Sequence, residues 1–116
     1  MLNQIVLVGR LVSDPEIKET ESGKKVSNIT LAVNRSFKNE EGIYETDFIP
    51  VKLWNGVAQN TAEYCKKGDM VGIKGRVQSS IVSDDSKSID ESKKNELQIV
   101  AEKVTFLSSE KKESND

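Results

Sequence analysis

At 116 residues the chain fits one domain, long enough to bury a core without disulfide or metal staples. A net charge of −2, one cysteine and no histidine argue against indiscriminate polyanion binding, a disulfide framework and histidine-based catalysis. The balance shifts along the chain: residues 1–83 carry 11 basic and 10 acidic side chains, whereas residues 84–116 carry 6 and 9. The start Met-Leu-Asn-Gln-Ile has no basic leader, and no apolar run approaches membrane-spanning length, so the expectation is a cytoplasmic protein with no membrane partner.

Leu2 to Leu11 reads as a first strand, with Ile5 and Leu7 on one face, Val6 and Val8 on the other, and Gly9 marking a bend or close approach. Asp14-Pro15 ends it. A polar hairpin from Lys18 to Lys25, with Gly23 at its turn, leads to a second strand, Val26 to Val33, where Ile29, Leu31 and Val33 share a parity. The turn-prone run Lys38-Asn39-Glu40-Glu41-Gly42 precedes the third strand, Asp47 to Trp54. There Ile49, Val51 and Leu53 point one way and Phe48, Lys52 and Trp54 the other. One face is core; the other is aromatic and basic. A soluble strand normally turns a polar face to water, and stacked bases beside a phosphate backbone would account for the exception.

From Gly56 to Lys67 the period becomes helical, with Val57, Ala58, Thr61, Ala62 and Cys65 on one stripe, Asn55 as N-cap and Gly68 as the C′ residue. Met70 to Ser79 returns to alternation, Val71, Ile73 and Val77 opposing Lys74, Arg76 and Gln78. The last strand runs from about Glu96 to Leu107. Leu97 and Ile99 have one parity and Val104 and Phe106 the other, which predicts a bulge near Ala101.

This order predicts an all-β fold: a five-stranded Greek-key barrel of the OB type with one short helix between strands 3 and 4. The alternative is a generic α+β sandwich. The domain is expected to span residues 1–108, with a flexible polar hairpin at about 80–95 and a short polar tail at 109–116. Catalysis is not expected, because the chain has no carboxylate cluster or Gly-rich phosphate loop in the required context. Neither a cofactor nor a metal is called for, and Cys65 lies on the apolar stripe of the helix as a small core residue.

Val8-Gly9-Arg10-Leu11 with Asp14-Pro15-Glu16, Asn28 to Val33 through Phe37, and Tyr64 through Lys67-Gly68 to Gly75-Arg76 together carry a resemblance. In order and spacing the chain resembles a bacterial single-stranded DNA-binding protein, from Leu2 to about Ser79 and again over Val100 to Leu107. The resemblance implies an OB-fold homotetramer that wraps single-stranded DNA with little sequence preference, serves replication, recombination or repair, and has no enzymatic activity. By position, Phe37, Phe48 and Trp54 fall where that family places base-stacking aromatics. Parity independently puts Phe48 and Trp54 on the outward face; burial in a subunit interface is the other reading of that face. Phe37 has the parity of the core, and only a twist after Arg35 would expose it. Arg10, Arg35, Lys52, Lys74 and Arg76 are the phosphate-binding candidates; Lys24 and Lys25, in the hairpin, are open to either a structural or a binding role.

Two departures from the family bear on function. Ser80 and Val82 stand where the family has basic and aromatic residues, and the acidic, serine-rich run Ser83 to Ser92 follows, so weaker binding or a shorter site is expected. The family's long tail and acidic, hydrophobically ended tip, which recruit replication and repair proteins, have no counterpart after Leu107, so those partners are not assigned. An OB-fold protein-interaction module of a primosome-type assembly is the competing functional reading. Composition does not separate dimer from tetramer.

Overall fold

Six strands and one helix account for the regular structure: β1 (Ile5–Leu11), β2 (Lys18–Glu19), β3 (Lys25–Lys38), β4 (Tyr44–Trp54), α1 (Asn55–Tyr64), β5 (Met70–Ser83) and β6 (Lys93–Ser108). The computed structural model describes residues 1–83 and 93–108. The long strands join in the order β1-β5-β6-β4-β3, and β3 returns to β1 through Arg10↔Ala32 and Leu11↔Leu31, closing a five-stranded barrel. The β4–β6 contact, at Lys52↔Val100, is parallel, while every other pairing is antiparallel. The helix sits between the third and fourth long strands, as the sequence predicts, and β2 is a two-residue appendage paired with the start of β3.

Alternation fills the barrel. Leu31, Leu53, Val71 and Ile73 are fully buried, Ile29 and Val51 nearly so, and Leu7, Val33, Ile49 and Val104 pack against them. α1 closes the barrel with Ala58 and Thr61, and Cys65 follows on the same side. Burial raises the Cys65 thiol, reinforced by the charge of Asp69, which favours the unreactive protonated form. The thiol is a core group.

β6 carries two bulges, and one of them has a steric cause at β5. Pairing steps from Lys74↔Lys103 to Gly75↔Ala101, leaving Glu102 as the extra residue, and from Met70↔Ser108 to Val71↔Phe106, leaving Leu107. At Gly75 a Cβ would overlap the Val100 carbonyl oxygen, so only glycine lets β6 cross there. Gly9 plays the same part on β1, where a Cβ would lie 2.6 Å from the Ala32 carbonyl oxygen.

Local expectations need correction at several ends. α1 stops at Tyr64 rather than Lys67, and Asn55 is not its N-cap: Trp54 holds that position without a side-chain bond. The Asn55 side-chain oxygen instead accepts from the Lys25 backbone N–H at 3.2 Å, tying the helix start to β3. Gly68 does adopt a positive φ of 92°, but in the loop after the helix, where its N–H bonds the Leu11 carbonyl. β3 and β4 extend past the expected ends to Lys38 and back to Tyr44. Of the expected polar hairpin at 80–95, the ladder continues to Ser83↔Lys93, and residues 84–92 lie outside the described residues, as does the 109–116 tail.

Candidate nucleic-acid interface

The outward faces of β3 and β4 form one surface, because the two strands pair in register through Asn28↔Lys52, Thr30↔Pro50, Ala32↔Phe48 and Asn34↔Thr46. β3 contributes small side chains; β4 contributes the large ones. The result is a shallow face from which the β4 rings stand proud. Across the ladder from Phe48, Ala32 also pairs with Arg10 of β1, so the row reads Arg10, Ala32, Phe48. At the other end of the face a depression of about 230 Å3 is lined by Asn28, Pro50, Lys52, Leu97, Gln98 and Ile99.

Phe48 is 63% exposed, a large apolar area for a residue in mid-strand. Trp54 is half-buried at the end of β4, its ring flanked by two ammonium groups: Lys52 Nζ lies 5.6 Å and Lys24 Nζ 5.9 Å from the ring centroid. The hairpin lysine Lys24 thus joins the aromatic surface, whereas its neighbour Lys25 pairs with Glu19 at 3.2 Å. Phe37 is 64% exposed. Its inward parity is broken because β3 runs from Asn34 to Lys38 while β4 runs only from Thr46 to Tyr44, so Arg35, Ser36 and Phe37 bulge opposite Glu45.

The basic candidates divide. Lys52 sits on the aromatic face itself, and Arg10 beside it donates from Nη1 to the Gly68 carbonyl at 3.0 Å. Arg76 bonds Glu102 at 3.2 Å and Gln78 at 3.0 Å, and faces Val100, the residue that pairs with Lys52. Lys74 lies elsewhere, between Val6 of β1 and Lys103 of β6, and shares no ladder with β4. Arg35 is committed: its Nε and Nη2 donate to Asp47 at 2.9 to 3.2 Å, and its Nη1 donates to Glu45 at 2.7 Å. These bonds, with the carboxylate charges, raise the Arg35 guanidinium and hold the Asp47 carboxyl below its usual range.

Two exposed residues are not among the sequence-based binding candidates: Tyr44, 56% exposed with Lys38 Nζ 5.7 Å from its ring centroid, and Leu97, expected only as a strand residue and 72% exposed. Tyr44 carries a signal in the sequence, since it shares parity with Phe48, but the apolar alternation that marks the strand starts only after Asp47. Among the described residues no group of three or more Cys, Asp or Glu is placed to hold a metal, and no helix is long and apolar enough to cross a membrane.

A model of the single-strand binding protein family matches residues 2–107. The chain belongs to the single-strand binding protein family. It is 53% identical over 78 residues to single-stranded DNA-binding protein B of Bacillus subtilis (strain 168), covering 67% of this chain and 69% of that relative. It is 41% identical over 111 residues to single-stranded DNA-binding protein 1 of Clostridium acetobutylicum, covering 95% of this chain and 97% of the relative. Against other relatives it spans less, 61% of the length of one and 66% of another. The fold matches the crystal structure of wild-type single-stranded DNA binding protein from Thermus aquaticus with a TM-score of 0.75 at 25% identity, over 94% of this chain and 52% of that one. The family and these relatives are named for binding rather than catalysis, in line with the reading that the chain is not an enzyme.

Proposed function

We propose that the chain binds single-stranded DNA with little regard for sequence and shields it during replication, recombination or repair in the cytoplasm. Bases stack on Phe48, Trp54 and Phe37, while Lys52, Lys24, Arg10 and Arg76 line the path of the phosphates. The carrying observation is the mid-strand Phe48, 63% exposed on a face whose β3 half is made of small residues. Each stacked base contributes about 1 to 3 kcal/mol whatever its identity, because every base has a π-face. Stacking requires unpaired bases, so binding competes with duplex formation. Arg35, occupied by two carboxylates, and Lys74, on a separate face, are left out of the contact set.

Self-association fits a second surface. Along Ile5 to Gly9, β1 pairs only with β5 among the described residues, and Val6 (64% exposed), Val8 and Leu107 crowd the outside of that edge. We assign this edge to contacts between copies, building a homotetramer.

An unstructured thymidine oligomer and a duplex of equal length, titrated at two salt concentrations, test the reading. The oligomer should bind in strong preference, and its affinity should fall with salt at about 0.7 of a log unit per log unit for each phosphate engaged. Equal affinity for both, or none for either at low salt, would point instead to an OB-fold assembly module whose aromatic face meets a protein. Sedimentation of the same sample should show four copies, and a monomer would contradict the edge assignment.

A further inference from the structure

At the tip of the β3–β4 hairpin, an ion-pair network stands apart from the stacking face. Arg35 makes bonds through all three guanidinium nitrogens to Asp47 and Glu45, and the second Glu45 oxygen accepts from Asn39 Nδ2 at 3.0 Å. Asn39 in turn receives the Glu41 and Ile43 backbone N–H groups on its side-chain oxygen, at 2.8 and 3.0 Å, which shapes the turn. The chain of contacts therefore runs from the bulge on β3, across to β4, and into the loop. Arg35 has the parity of Ile29, Leu31 and Val33, and Glu45 and Asp47 that of Ile49, Val51 and Leu53, so the network lies on the core-side face, behind Phe48. Phe37 belongs to the three-residue bulge that Arg35 begins.

We propose that Arg35, Glu45 and Asp47 form a clamp that fixes the bulge exposing Phe37, so that both carboxylates are positioning residues for base stacking and Arg35 is not a phosphate contact. The inference rests on the single-strand binding reading above. A bulge without such a tie leaves Phe37 free to fold back along its inward parity. A bidentate arginine–carboxylate pair has the directional geometry to prevent that.

Glu45→Gln combined with Asp47→Asn separates this role from simple electrostatics. Removing two negative charges from a DNA-binding surface ordinarily tightens binding. The clamp predicts the opposite: about 3-fold or more weaker binding of a thymidine oligomer, within the roughly 5-fold or larger loss expected for Phe37→Ala. In the Phe37→Ala background the same pair of changes should weaken binding no further, and the salt slope should stay constant. Tighter binding with a steeper salt slope would overturn the proposal and make Arg35 a phosphate ligand held in check. Weakening that persists in full without Phe37 would also overturn it. Amide exchange over residues 34–38 without DNA should quicken in the Glu45→Gln/Asp47→Asn variant; unchanged exchange would dismiss the clamp. That readout holds even if the wild-type chain binds no oligomer, an outcome that would sink the binding reading alone.

Discussion

Trp54 has two ammonium groups over its ring, from Lys52 beside it on β4 and Lys24 reaching over from the hairpin, so a base arriving there meets both cations. Each cation–π contact at such an exposed site is worth about 0.5 to 1 kcal/mol and orients the indole as much as it stabilises the strand end. A phosphate drawn to Lys24 or Lys52 would sit next to a stacked base, which joins the two halves of recognition in one place. Asp47 shows a different use of charge. Hydrogen bonds from Arg35 hold its carboxyl low, outweighing an opposing effect of desolvation, and the guanidinium charge adds to them. A lowered folded value means that the ionised form is favoured by folding: the contribution is complete above the ordinary aspartate value of 3.8 and is lost as pH falls through the lowered one. The Arg35–Asp47 pair should therefore be intact at neutral pH and down to about 4. NMR titration of the Asp47 carboxyl checks this, with a midpoint below 3.8 expected, moving upward in Arg35→Ala; a wild-type midpoint at or above 3.8 would contradict the pairing.

Among the elements, the β5–β6 ladder depends on one missing side chain. Gly75 sits where β6 gives up its register, and a methyl group there meets backbone rather than a movable side chain. Gly75→Ala should cost about 1 to 3 kcal/mol, as forced overpacking does, and calorimetric melting would read it. An unchanged melting temperature would mean that β6 can slide away. That bulge could be foreseen from the parity change between Leu97/Ile99 and Val104/Phe106, because a residue out of phase must be absorbed somewhere. The inward set Ile49, Val51 and Leu53 was equally legible, since period-two burial is imposed by the pleat. The exposure of Phe37 was not, because it arises from a mismatch between two strands and neither strand alone records it. The ends of β3 and β4 were missed for a related reason: beyond the barrel both faces meet water, and the polar residues there lose their alternation. Asn55 has the residue type of a helix cap, yet its side-chain oxygen has a tertiary partner in the Lys25 backbone N–H.

For the molecule as a whole, the closed barrel leaves apolar side chains in water on more than one outer surface, among them the β3–β4 face with its aromatics and the β1 edge with its valines. One suits flat, charged, extended ligands and the other a further strand, and the proposed function assigns them so. The net charge of −2 gives no long-range pull on DNA, which places the weight on local stacking and a few cations at the face. The family could be read from the ordered motifs and is matched over residues 2–107, but the division of the basic residues could not. Arg35 and Lys74 were indistinguishable from Lys52 until their neighbours were placed. The most direct test uses Trp54, the only tryptophan, as reporter. Its fluorescence is followed during titration with an unstructured thymidine oligomer at low and moderate salt. Saturable quenching that shifts to higher oligomer concentration as salt rises is the predicted result. Binding without any change at Trp54, or no binding at low salt, would contradict a stacking face on β4.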